Sequence, residues 1–139
     1  MLETIIIVIA VISIVIIGGI FGLKFPAPYR SRPCQGRAWK KHFPTTSKSD
    51  IRKFLSFFTD AFALSDKEKL KLHPNDQLMD IYSALYPNPN WQPDVLEFET
   101  LSKSLKEDYC IDLNAIWHDN LTLGELFKLI QTNEINQYT

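Results

Sequence analysis

The sequence has few of the residues that form metal sites, disulfide frameworks and catalytic loops. Its two cysteines, Cys34 and Cys110, lie 76 positions apart and form no motif. None of its three histidines has a partner at the spacing of metal ligands, and there is neither a glycine-rich phosphate loop nor a G-x-S-x-G motif. These absences predict that the chain is not an enzyme and holds neither a metal nor a cofactor. The cysteines are expected to stay reduced, with Cys110 as a small core residue.

The sequence also lacks any segment in which apolar and polar residues alternate with period two, so no strand is predicted. Apolar residues instead recur at three- and four-residue spacing. Ser47 and Asp50 have capping-box spacing before the first such stretch, as do Thr122 and Glu125 before the last. The predicted helices cover residues 50–64, 78–85, 94–109 and 123–130, with a short helical turn within 111–117. This pattern predicts an all-α bundle.

Charge is almost missing from the first 23 residues, where Glu3 stands alone. Residues 4–23 have none, and as a helix they would span about 30 Å, the thickness of a hydrocarbon core. A cleavable signal would need a positive start and a shorter apolar run. Residues 1–23 are therefore predicted to be a transmembrane anchor that crosses an inner or plasma membrane once. Gly18 and Gly22 form a G-x-x-x-G pair through which two anchors would form a homodimer.

Acids are nearly missing from the next stretch. Residues 24–53 hold nine Lys/Arg and one acid, Asp50, whereas residues 54–139 hold six Lys/Arg and fourteen acids. The positive-inside rule places the C-terminal side in the cytoplasm and the N-terminus outside. Residues 24–48 are rich in proline and are predicted to be an extended basic linker along lipid headgroups. The alternative is specific capture of an anionic lipid or a partner, and a nucleic acid need not be invoked. The residues predicted to lie at the membrane surface are Lys24, Arg30, Arg32, Arg37, Trp39, Lys40 and Lys41.

An ordered set of short motifs runs from residue 94 to residue 130. It comprises Asp94-Val95-Leu96, then Glu97, Leu101, Leu105, Glu107 and Tyr109, then Ile111-Asp112-Leu113, and finally Thr122-Leu123-Gly124-Glu125-Leu126. This set resembles the acyl carrier protein family, in which Asp-Ser-Leu opens one helix and Thr-x-Gly-(Asp/Glu)-Leu opens the last. Residues 72–78 are similar to the segment that leads into the second half of that fold. The resemblance implies a small, soluble, carrier-like helical domain over residues 49–139.

The sequence departs from the family at the residue that matters most for acyl transport. Carrier proteins attach a phosphopantetheine arm to the serine between Asp and Leu, and Val95 stands there without a hydroxyl. The resemblance therefore implies that no cofactor is attached at the family position. Ser83, Ser102 and Ser104 do not match that position.

The resemblance also assigns a docking role to acidic residues. In the family, acids along this helix meet partner enzymes, which points here to Asp94, Glu97 and Glu107. Lys103 and Lys106 depart from that pattern by adding positive charge nearby.

The leading hypothesis is a membrane-anchored, non-catalytic module whose carrier-like domain binds a cytoplasmic protein. One alternative is a membrane-tethered immunity protein that neutralises a toxin, because an acidic domain suits capture of a basic protein. Another is a carrier protein modified at a serine outside the family position.

Overall fold

The computed structural model describes residues 1–10, 24–87 and 96–138 of the chain. Residues 2–10 are helical (α1). The helices that follow are α2 (Gly36–His42), α3 (Lys48–Ala61), α4 (Leu78–Leu85), α5 (Leu96–Tyr109), α6 (Leu113–Ile116) and α7 (Leu123–Gln137), with 3-10 helices at Tyr29–Ser31 and Asp66–Lys71. No strand forms within the described ranges, where one isolated antiparallel bridge joins Gln77 to Thr122. The prediction of a helical bundle is confirmed for this part of the chain.

The predicted fold class also included a transmembrane helix, and that prediction was wrong. Across residues 1–10, 24–87 and 96–138, no helix is both long enough and apolar enough to cross a membrane. Residues 11–23 of the predicted anchor, with Gly18 and Gly22, lie outside the described residues.

The starts of α3 and α7 follow the predicted capping patterns. The Ser47 hydroxyl accepts a hydrogen bond from the Asp50 amide at 3.1 Å. Thr122 and Glu125 form a reciprocal capping box, with each side chain accepting from the other residue's amide at 3.2 Å. Such bonds satisfy amide groups that have no partner inside the helix, so they fix where each helix begins.

The end of α3 is closed by a residue in the left-handed region. Ala63 has a φ of 55°, and its amide donates to the Asp60 carbonyl at 3.2 Å. The Leu64 amide donates to the Thr59 carbonyl at 2.8 Å, and the Leu64 side chain is buried. This is the Schellman arrangement, which satisfies the last carbonyls of the helix and turns the chain back onto the core.

The starts of α4 and α7 lie side by side. The Leu78 amide donates to the Leu121 carbonyl at 3.0 Å, and the Leu123 amide donates to the Asp76 carbonyl at 2.9 Å. Gly124 approaches still closer, because its amide donates to the Pro74 carbonyl at 2.8 Å. A Cβ on Gly124 would lie 3.0 Å from that oxygen. The absence of a side chain at this position therefore allows the two helix starts to meet.

Residues 24–43, called the N-terminal segment below, belong to the folded core, although residues 24–48 were predicted to be an extended linker. Phe25 is 1% exposed and Trp39 is fully buried. The Trp39 ring lies 5.9 Å from each of the Phe54 and Phe127 ring centroids, and its indole N–H donates to the Leu72 carbonyl at 2.7 Å. Burying a ring of this size removes a large apolar area from water and so stabilises the fold.

Candidate interaction surfaces

The predicted membrane-surface residue Arg32 lies inside a polar clamp. Its guanidinium donates two parallel hydrogen bonds to the Asp76 carboxylate, at 2.7 and 2.9 Å. The His73 amide donates to the same carboxylate at 2.7 Å, and Asp76 is only 9% exposed. The hydrogen bond to Asp76 raises the pKa of Arg32 above its usual value, so the guanidinium stays charged. The clamp ties the N-terminal segment to the turn before α4.

Tyr29 completes the clamp from the other side. The Arg32 guanidinium carbon lies 4.7 Å from the centre of the buried Tyr29 ring. Burial, with the nearby negative charges of Asp76 and Asp80, raises the pKa of Tyr29 to about 12. The phenol is therefore neutral at ordinary pH and offers its ring face to the cation.

The remaining residues predicted to contact headgroups do not form one surface. Trp39 is a core residue, as described above, whereas the side chains of Lys24, Arg30 and Lys41 are exposed. The structure brings two of the predicted residues, Arg37 and Lys40, to a cavity between α2 and α3. Sequence reasoning missed this cavity, because its other walls come from α3 and from the 3-10 helix Asp66–Lys71.

Of the acids predicted to bind a partner, the structure describes Glu97 and Glu107, and it places them in different environments. Glu97 is 8% exposed and its Oε1 accepts a hydrogen bond from the Tyr86 hydroxyl, while its Oε2 is buried without a hydrogen-bond partner among the described residues. Glu107 is exposed, and its Oε1 lies 3.9 Å from the Nζ of Lys103, one turn earlier in α5. Asp94, like Val95, lies outside the described residues. The spacing of Glu97 from Leu101 and Leu105, four and eight residues, places it on the buried face and was the signal that could have found this.

A groove lies between α5 and α6. Its volume is about 580 Å³, and its apolar floor consists of Phe98, Leu113 and Trp117. The Phe98 and Trp117 rings meet edge to face at 5.2 Å. Lys103 and Lys106 lie at the rim. Sequence reasoning noted these two lysines only as departures from an acidic helix and did not predict the groove.

The prediction that Cys110 is a core residue was wrong, whereas no structural role was predicted for Cys34. Cys110 is exposed, not a core residue, and its φ of 56° places it in the left-handed region at the end of α5. Cys34 is also exposed, and both thiols are free. In the part of the chain that the structure describes, no three His, Cys, Asp or Glu side chains are grouped so as to hold a metal ion.

Comparison of the chain with protein-family models, with curated proteins and with solved structures finds no match.

Proposed function

We propose that this domain is a non-catalytic protein-interaction module whose binding surface is the groove between α5 and α6. The partner would present an apolar side chain flanked by carboxylates. The observation that carries this proposal is the combination of an aromatic floor with a rim that holds two lysines, Lys103 and Lys106, and one acid, Glu99, on one side of α5.

The floor of the groove is rigid and only partly covered. Phe98 contacts the rings of Phe62 at 5.5 Å, Tyr82 at 4.7 Å and Trp117 at 5.2 Å, yet it remains partly accessible. Ring contacts on three sides hold Phe98 in one position, so a partner loses little free energy in ordering it. Partly exposed aromatic rings of this kind are typical anchors of protein interfaces.

The rim supplies the charge. Lys106 forms no ion pair among the described residues, and the bridge from Lys103 to Glu107 is long and solvent-exposed, so it is weak. Leu96 is 57% exposed and shares a helix face with Lys103 and Lys106 by its spacing. An acidic segment with an apolar residue therefore complements this face in both charge and hydrophobicity.

The resemblance to acyl carrier proteins supports the same helix as a partner surface. That family contacts its enzymes along the helix that Asp94 to Tyr109 would form here, while Val95 removes the attachment of an arm. The toxin-neutralising alternative rests on the small size of the domain and on its excess of acids, fourteen against six Lys/Arg over residues 54–139, and it stays a second hypothesis.

Site-specific photo-crosslinking in the native host tests the proposal. A photoreactive residue replaces Ser102 in the groove, and in a second variant it replaces Thr132 on α7 as a control. We expect one discrete protein adduct from position 102 and none of that mass from position 132. Lys106→Glu should abolish the adduct, whereas the matched charge reversal Lys128→Glu should not.

Two crosslinking outcomes would contradict the proposal. If positions 102 and 132 gave identical adducts, the partner would not be specific for the groove. The same would follow if Lys106→Glu and Lys128→Glu lowered the adduct yield equally. Intact mass after incubation with coenzyme A and a phosphopantetheinyl transferase separates this function from acyl carriage. We expect no gain in mass, and an adduct on any serine would restore the carrier alternative.

A further inference from the structure

We propose that the cavity between α2 and α3 binds a phosphate group carried by a small organic molecule or by a lipid headgroup. The cavity has a volume of about 420 Å³. Its lining includes four cationic side chains and two apolar ones, namely Arg37, Lys40, Lys48, Arg52, Ile51 and Leu70. This site is separate from the groove between α5 and α6 and does not depend on the function proposed for it.

The charge around this cavity is of one sign. Arg37 and Lys40 come from α2, and Lys48 and Arg52, four residues apart, come from α3. No acidic residue lines the cavity. Among the described residues, Arg37, Lys48 and Arg52 form no ion pair, so their mutual repulsion is uncompensated. A concave surface with low-dielectric walls concentrates such a field and attracts an anion.

The cavity is held in shape by contacts outside it. The Lys40 ammonium donates to the Thr46 carbonyl at 2.7 Å and to the Pro44 carbonyl at 3.3 Å, which fixes it while leaving one of its three donors for a ligand. The Gln35 amide donates to the Leu70 carbonyl at 2.6 Å, which joins the start of α2 to the 3-10 helix. A preformed site loses little free energy in ordering itself around a ligand.

The chemistry of the lining selects phosphate. Arginine side chains present a planar fork of donors that matches two phosphate oxygens, and lysine adds point charge. A volume of about 420 Å³ exceeds what a bare ion fills and lies in the range of small-molecule sites. The buried Ile51 and partly buried Leu70 give an apolar wall for the body that carries the phosphate. No aromatic ring lines the cavity, so a base of single-stranded nucleic acid has nothing there to stack on.

Matched charge variants of the full chain test the proposal. Arg37→Gln with Arg52→Gln removes two cavity charges, and Lys41→Gln with Lys53→Gln removes two exposed charges from the same two helices. Binding of inorganic phosphate and of glycerol 3-phosphate is measured at low salt by titration calorimetry. Binding to vesicles of phosphatidylcholine with phosphatidic acid is compared with binding to phosphatidylcholine alone.

We expect saturable binding of a phosphate probe that weakens at least tenfold in the cavity variant and less than twofold in the control. A response to glycerol 3-phosphate identifies a metabolite site, and a response confined to phosphatidic acid vesicles identifies a headgroup site. Equal weakening in both variants would mean diffuse charge attraction, and no saturable binding of any probe would also overturn the proposal.

The two native thiols provide a second readout that needs no variant. Cys34 lines the cavity and Cys110 lies at the end of α5, and both are exposed. A saturating probe should slow alkylation of Cys34 severalfold and leave the rate at Cys110 unchanged. Unchanged rates at both thiols under saturation would place the bound probe elsewhere and contradict the assignment.

The unfolding temperature checks that the variants fold. Without phosphate, the cavity variant should be at least as stable as the unaltered chain, because repulsion is relieved. With phosphate, only the unaltered chain and the control variant should gain stability. Stabilisation of the cavity variant to the same extent would also count against the site.

Discussion

The N-terminal segment, residues 24–43, and the C-terminal helices α5 to α7 contribute to one core by different physical means. Helices α5 and α7 bury apolar stripes at three- and four-residue spacing, such as Leu101 with Leu105. The N-terminal segment has no such stripe and instead inserts single large rings, above all Phe25 and Trp39. A core can therefore include a proline-rich basic stretch when a few aromatic residues find matching space.

The N-terminal segment and helix α5 also differ in where their basic side chains lie. Helix α5 keeps Lys103 and Lys106 on the outer side of its stripe, where they border the groove. In the N-terminal segment, Arg32 forms the partly buried clamp with Asp76, and Arg37 and Lys40 line the cavity. Basic residues of the N-terminal segment thus have both structural and surface roles.

The largest expected effect comes from removing the central ring of the N-terminal segment. Trp39→Ala should lower the free energy of unfolding by about 3–5 kcal/mol, the usual loss for a buried tryptophan. Denaturant titration of the full chain measures this value. Lys41→Ala, on the exposed side of the same helix, should change it by less than about 0.5 kcal/mol. Equal, small effects of both substitutions would mean that the segment is a linker after all.

A smaller loss is expected from the clamp that holds the segment in place. Arg32→Gln leaves the buried Asp76 carboxylate without its cation, and we expect a loss of about 1–3 kcal/mol, discounted because Arg32 is 30% exposed. A double-mutant cycle with Asp76→Asn isolates the pair. Additive losses from the two substitutions would show that the side chains do not interact.

The close approach of α4 and α7 predicts a sensitive glycine. Gly124→Ala puts a Cβ 3.0 Å from the Pro74 carbonyl oxygen, so the helix starts must separate, at a cost of about 1–3 kcal/mol. Gly36→Ala is the matched control, because its Cβ would meet only the Cys34 Sγ, at 3.5 Å. Thermal unfolding of both variants distinguishes the two positions. A Gly124 variant as stable as the Gly36 variant would contradict the packing described here.

The smallest predicted effect is a gain. Ala63 adopts a φ of 55°, a backbone conformation that is strained for a residue with a Cβ but not for glycine. Ala63→Gly should therefore raise the free energy of unfolding by about 0.5–1 kcal/mol, measured against Ala115→Gly in α6, where the same change should destabilise. Destabilisation by both substitutions would contradict the left-handed conformation of Ala63 at the end of α3.

Local features of the fold could be predicted from the sequence, and long-range ones could not. The Ser47 and Thr122 caps depend on residues three positions away, so their spacing alone identified them. The position of Trp39 depends on the Leu72 carbonyl, 33 residues distant, and on Phe127, 88 residues distant, and no local pattern encodes such contacts. By composition alone, aromatic rings interleaved with cations fit a lipid surface as well as they fit a protein core.

The candidate sites show the same division. Glu97 was placed on an outer face because charge was given more weight than its spacing from Leu101 and Leu105. The basic cavity joins residues of α2 and α3 with Leu70, and the groove joins α5 with α6. Each surface exists only once separate elements have come together, so the residues were visible in the sequence but their arrangement was not.

Hydrogen–deuterium exchange of the full chain, resolved by residue, tests most directly whether the N-terminal segment is part of the core. The Phe43 amide donates to the Trp39 carbonyl at 2.9 Å, and the Trp39 indole N–H is buried against Leu72. We predict that these two groups exchange as slowly as the amides in the middle of α5, because all open only with the same core. Exchange of both groups at the rate of an unstructured chain, while α5 stays protected, would contradict this account.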